Sequence, residues 1–189
     1  MALIGIKINH EIVRTLKNLD VPGNRTQDDE YHITIACFED DVTMETILKA
    51  IKSAYDIVNN TKPFLISTEE ITCFPKRENN PCAIIAKVNS EELHKLNNKI
   101  KSAFDEDEVE YSKLFKDYKP HITLSYHDEE IKSSKIEPVE FMVHEIVIFG
   151  GNNGDDKFCV TIPLKSSEYK KHSNLINKLD NFNKLAKCL

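Results

Sequence analysis

The tripeptide His32-Ile33-Thr34 recurs 89 positions later as His121-Ile122-Thr123. In a β-strand, side chains alternate between faces, so the His and Thr of each tripeptide share one face while Ile33, Ile35, Ile122 and Leu124 point to the other. Each motif is a polar face on an apolar strand. Brought together across a cleft, the pair supplies two imidazoles and two hydroxyls. An imidazole titrates near about 6.5, so one can take a proton from a nucleophile while the other, protonated, gives one to a leaving oxygen. Threonine hydroxyls can donate to non-bridging phosphate oxygens and steady the extra charge of a pentacovalent transition state. The chemistry this suits is phosphodiester cleavage without metal. One His-x-Thr alone says little, because a lone strand histidine is most often structural; the repetition carries the expectation. Neither tripeptide has a Cys or carboxylate at ligand spacing on its own strand face, so no metal and no other cofactor is expected.

The elements that must position these residues follow from periodicity. Alternation and β-branched content predict strands at about 2–8, 31–38, 64–74, 82–88, 121–127, 140–149 and 157–164. Helical spacing runs from His10 to Leu19 and from Met44 to Val58, the latter with Ile47, Leu48, Ile51, Ala54 and Tyr55 as its apolar repeat. Ser90 reads as the N-cap of a third helix whose buried stripe is Leu93, Leu96, Ile100 and Phe104. Each half of the chain brings one His-x-Thr strand into a similar setting of helices and strands, which suggests two related lobes. The runs Asp105 to Glu108 and Gly150 to Asp156 read as solvated loops. From Ser166 the chain becomes Lys/Asn-rich with Leu175, Leu179, Phe182, Leu185 and Leu189 at helical spacing. The expected organisation is therefore a body at 1–165 and an amphipathic helical extension at 166–189, which could pack on the body or on a second subunit to give a homo-oligomer.

Composition limits the partners. A chain of 189 residues with 40% hydrophobic and 30% charged residues is ordinary for a globular protein. No apolar run approaches the roughly 18 residues of a membrane span, and the N-terminus reads as a first strand rather than a signal peptide, so no membrane is expected and the default location is the cytoplasm, or a host's cytoplasm for a viral or phage chain. Five scattered cysteines without a C-x-x-C pair suggest reduced thiols. A net charge of −6 would not attract a long nucleic-acid backbone. A nucleotide or short oligonucleotide is the better-matched substrate, and no long duplex is expected.

The residues around the two tripeptides, Tyr31-His32-Ile33-Thr34-Ile35 and Lys119-Pro120-His121-Ile122-Thr123-Leu124, resemble the two-histidine (2H) phosphoesterase superfamily, which contains the LigT-type 2′-5′ RNA ligase-like and cyclic phosphodiesterase proteins. The run from Ile71 to Ile85, with Phe74-Pro75 at its centre, is similar to the strand, Phe-Pro loop and strand that lie between that family's motifs. The resemblance covers about residues 2 to 165 and departs from the family at Tyr31, where a proline is common. It implies an α+β, bilobal, pseudo-two-fold fold with antiparallel sheets lining a central cleft and helices outside. It also implies metal-independent cleavage at 2′,3′-cyclic phosphates or at short cyclic or 2′-5′-linked oligonucleotides. His32, Thr34, His121 and Thr123 would carry the catalysis, with the acid and base not distinguished. The competing expectation is a non-catalytic nucleotide- or RNA-binding module using the same cleft.

Around this core, Tyr31, Arg77, Tyr118, Lys119 and Tyr126 are the candidate substrate-binding residues, drawn from a wider set of aromatics and cations. Tyr31, Phe38, Tyr111, Phe115, Tyr118 and Tyr126 could stack on a base. Lys113, Lys116 and Lys119 share a stretch with three of these aromatics, and Lys76 and Arg77 could meet an outer phosphate. Alternation continued from His121 places Ser125 and His127 on its face, though His127 is about 20 Å along the strand and reads as a rim residue.

Overall fold

The computed structural model describes residues 2–76, 80–114, 117–150 and 158–165. The expected helical extension at 166–189 and nearly all of the loop at 150–156 lie outside them. The described residues form nine strands and three α-helices: β1 (Leu3–Lys7), α1 (His10–Lys17), β2 (Asn24–Arg25), β3 (His32–Cys37), α2 (Met44–Asn60), β4 (Phe64–Phe74), β5 (Cys82–Asn89), α3 (Glu91–Glu106), β6 (His121–His127), β7 (Ser134–Val143), β8 (Glu145–Gly150) and β9 (Phe158–Pro163). These build two antiparallel sheets, one in the order β3-β1-β8-β9 and the other β2-β6-β5-β4-β7. The fold is α+β, as expected.

Each helix starts where a short polar side chain can satisfy a free backbone donor. Asn9 Oδ1 accepts from Ile12 N at 3.0 Å, Thr43 Oγ1 from Thr46 N at 3.2 Å, and Ser90 Oγ from Leu93 N at 3.2 Å. The apolar stripes Ile47, Ile51, Ala54 and Val58 of α2 and Leu93, Leu96, Ile100 and Phe104 of α3 are buried in one core shared by both sheets. Strand β1 lies inside its sheet, and Leu3, Ile4, Gly5 and Ile6 are all buried, so it shows no alternation. Among the described residues no helix is long and apolar enough to cross a membrane.

The stretch at 140–149, expected as one strand, is two. The chain leaves one sheet at Val143 and enters the other at Glu145, with His144 between them and its carbonyl accepting from Leu164 N at 2.8 Å. The apolar runs Phe141–Val143 and Ile146–Phe149 flank the crossing, and only the polar pair His144-Glu145 separates them. The polar first half of β7, with Pro138, and the two-residue β2 were not anticipated. β7 is an edge strand, where proline removes no ladder bond that the sheet requires.

Both His-x-Thr strands carry a β-bulge immediately after the threonine. In β3, Thr34 faces Gly5 and Ala36 faces Ile4, leaving Ile35 unpaired; in β6, Thr123 faces Ile85 and Ser125 faces Ile84, leaving Leu124 unpaired. A bulge frees backbone groups that must find other partners when buried. Asn97 Nδ2, from α3, donates to Ile35 O at 2.6 Å, and Thr26 N donates to Leu124 O at 3.1 Å. The segment approaching β6 also lines the outer edge of β3, through Ser112 N to Cys37 O at 2.8 Å and Tyr118 Oη to Thr34 O at 3.0 Å. The segment approaching β3 lines the outer edge of β6 through β2 and through Ser125 Oγ, which donates to Pro22 O at 2.6 Å. Asn97 is 1% exposed. Replacing it by leucine, close in volume but without a donor, is expected to cost about 1–3 kcal/mol by orphaning the bulge carbonyl. Urea denaturation at constant m-value would measure this; an unchanged midpoint would contradict it.

Candidate active site

His32 opens β3 and His121 opens β6, and these strands approach each other where the two sheets meet. The histidines are close enough for the charge of His32 to act on His121. Each ring is held the same way. His32 Nδ1 lies 2.6 Å from Glu30 O and His121 Nδ1 lies 2.7 Å from Lys119 O, in each case the carbonyl two residues back. A carbonyl can only accept, so Nδ1 carries hydrogen and Nε2 is left as the reactive atom. Neutral, Nε2 is a base; protonated, the same atom is an acid.

An aromatic edge-to-face contact fixes each imidazole further. Phe149, ending in β8, meets His32 at 5.6 Å between centroids and 81°, and Phe74, from β4, meets His121 at 4.7 Å and 90°. Burial pushes both histidines below their usual value, opposed in each case by the backbone hydrogen bond. Thr34 and Thr123 are half-buried on the faces of their histidines. Leu3, Val147 and Ile85 share the ladder rows of this face and are buried outside the main core, an apolar floor. The arrangement offers two oriented ring nitrogens that can act as acid or base and two hydroxyl donors over an apolar floor. Among the described residues, no group of three or more His, Cys, Asp or Glu could hold a metal ion.

The surrounding residues differ from the sequence reading. Tyr31 is only 1% exposed and belongs to the core, so it has no ring face to offer a base. Tyr118 is also turned inward: its hydroxyl is spent on Thr34 O, and burial pushes its pKa up strongly. Its hydroxyl braces β3 at Thr34. Lys119 contributes the carbonyl that orients His121, and its side chain is exposed. Lys113 is ion-paired with Asp105 at 3.0 Å. Phe38 is core, and Tyr111 packs on Phe104. Arg77, Phe115 and Lys116 lie outside the described residues.

The bulge at Leu124 overturns the face expected for Ser125 and His127. Beyond it, Ser125 faces Ile84 and is buried, while Tyr126 faces Ala83 on the row shared by Ile85 and Thr123. Tyr126, 46% exposed, is the aromatic left on the cleft side of β6. The two phenylalanines against the histidines were missed. Phe74 stood within a recognisable run but without a role; for Phe149 nothing in the local sequence marks the contact.

A family model described as the 2′-5′ RNA ligase superfamily matches residues 32–155. No curated protein sequence matches. The fold resembles TT0787 of Thermus thermophilus, with a TM-score of 0.70, 15% identity and coverage of 89% of this chain and 100% of that one. It also resembles E. coli LigT in its apo form, with a TM-score of 0.62, 17% identity and coverage of 87% and 94%. A structure described as a phosphoesterase gives 0.63, 18%, and 87% and 95%. The matched region runs from the first histidine past the second and takes in both bulged strands, and on that match the chain belongs to the 2′-5′ RNA ligase superfamily of two-histidine phosphoesterases.

Proposed function

We propose that the protein is a metal-independent phosphodiesterase acting on a 2′,3′-cyclic phosphate or on a short cyclic or 2′-5′-linked oligonucleotide. The observation that carries this is the matched pair of imidazoles, each with Nδ1 tied to a carbonyl and Nε2 left for the cleft. One Nε2 takes the proton of the attacking water as the new P–O bond forms, and the other gives its proton to the ester oxygen as the old bond breaks. Proton count is conserved, and the two histidines exchange states. Thr34 and Thr123 donate to the non-bridging oxygens. LigT has been solved with 3′-AMP and with ATP, which supports a nucleotide as the ligand here too. Tyr126 is the side chain we assign to base stacking.

The test is incubation in EDTA with 2′,3′-cyclic mononucleotides, 2′-5′ oligoadenylates and cyclic di- and trinucleotides. Turnover of one class supports the reading; nucleotide binding without turnover of any would make the protein a binding module. The pH profile is a second check. Catalysis needs one histidine neutral and one protonated, so kcat/KM, which reports the free enzyme, peaks between the two values. Burial lowers both below 6.5, so the optimum is expected on the acid side of that value. Bound phosphate favours the imidazolium, so the alkaline limb of kcat should lie at higher pH than that of kcat/KM. A kcat/KM still rising above pH 7 would contradict this. The same depression makes the unliganded fold lose stability as pH falls below the unfolded value of about 6.5.

A further inference from the structure

The two half-sites match in shape and differ in charge. Lys7 faces His32 in the β1/β3 ladder and Lys87 faces His121 in the β5/β6 ladder. Directly opposed residues of an antiparallel pair share a face, with Cβ atoms about 4.5–5.5 Å apart. Each lysine therefore stands beside a cleft histidine. Lys87 is answered by a carboxylate, its Nζ lying 3.4 Å from Glu70 Oε2 on the neighbouring strand of the same row. Lys7 has no such partner among the described residues. Its Nζ lies instead 5.1 Å from the centroid of the Phe149 ring, the ring that packs T-shaped against His32. An ammonium over an aromatic face keeps its full charge and donors free for an anion.

We propose that Lys7 is an anion-binding side chain of the cleft, pairing with a non-bridging oxygen of the substrate phosphate on the His32 side. This rests on the phosphodiesterase reading and extends it to how substrate is seated. A phosphodiester entering the cleft turns its charged oxygens toward Lys7 and the threonine hydroxyls, leaving its ester oxygens to the two imidazoles. The half-sites are then not interchangeable, and substrate has one preferred orientation. In a chain of net charge −6, a local cation is what draws an anion to this spot.

Inorganic phosphate, titrated at low salt with EDTA and followed through the histidine Cε1 proton shifts, tests this without requiring turnover. Lys7→Met is expected to weaken phosphate binding about five- to tenfold, the scale of one charged hydrogen bond partly exposed to water. Lys7→Arg should restore most of the affinity. Glu70→Gln, which releases Lys87, should tighten binding, while the double variant Glu70→Gln/Lys87→Met removes a matched pair and should stay within about twofold of wild type. With a turned-over substrate, Lys7→Met should raise KM more than it lowers kcat. Lys7→Met binding phosphate as well as wild type overturns the proposal, as does an equal loss in the double variant or a wild type that does not bind phosphate. Weakened binding in Lys7→Met without hydrolysis of any substrate would keep Lys7 and discard the phosphodiesterase. Hydrolysis with unaltered phosphate binding in Lys7→Met would do the opposite.

Discussion

Replacing His32 or His121 by alanine is expected to lower kcat by about 10²–10⁴-fold, the range for loss of a positioned general acid or base. Each ring is held by a carbonyl and a T-shaped phenylalanine contact whose partners stay when the side chain is truncated, so the loss is expected in chemistry rather than in folding. The double variant should fall little below the worse single one, because a proton taken at one nitrogen must be matched by one given at the other. Thr34→Val or Thr123→Val should cost roughly 10²–10³-fold if each hydroxyl donates in the transition state. Single-turnover assays beside thermal melts separate these outcomes. A single-histidine variant retaining more than about a tenth of wild-type kcat would remove the paired mechanism.

Gly5→Val is expected to be strongly damaging although it touches neither histidine. Gly5 lies opposite Thr34, where the bulge at Ile35 draws the strands together, and a Cβ there would sit 2.3 Å from Ile33 O. That atom is backbone, so relief requires β3 itself to move. Overpacking of this kind costs about 1–3 kcal/mol and upwards. For a chain of this size each kcal/mol lowers Tm by about 2–4 °C. Activity should fall further than stability, since the strand that shifts carries His32 and Thr34. The equivalent position in the second sheet holds Ile85, which is buried without conflict, so an Ile85→Val change should be mild by comparison. A Gly5→Val protein with unchanged Tm would show that β3 is more pliable than its hydrogen bonds indicate.

What the sequence conveyed well was local. The Ser90 cap, the stripe of α3 and the shared face of His32 and Thr34 each depend on a few neighbouring residues. What it concealed depends on partners distant in the chain. Leu124 is a bulge only because β5 offers no residue opposite it, so alternation counted past Thr123 puts His127 on the face of His121, where Tyr126 stands instead. The break at His144-Glu145 is marked only by two polar residues between apolar runs, and which sheet each run joins depends on strands distant in the chain. Tyr31 and Tyr118 adjoin the motifs in sequence, and only packing shows that one is core and the other braces Thr34.

The approach to each histidine strand lies along the outer edge of the other: residues 22–26 on β6, Ser112 and Tyr118 on β3. A loosened approach therefore exposes carbonyls in the opposite half-site before its own. The two half-sites are expected to fray together. Amide exchange along β3 and β6 should proceed through one shared opening, with a single free energy for both strands. On the proposed mechanism, an acid would then seldom be exposed without its base, because opening either half-site opens both.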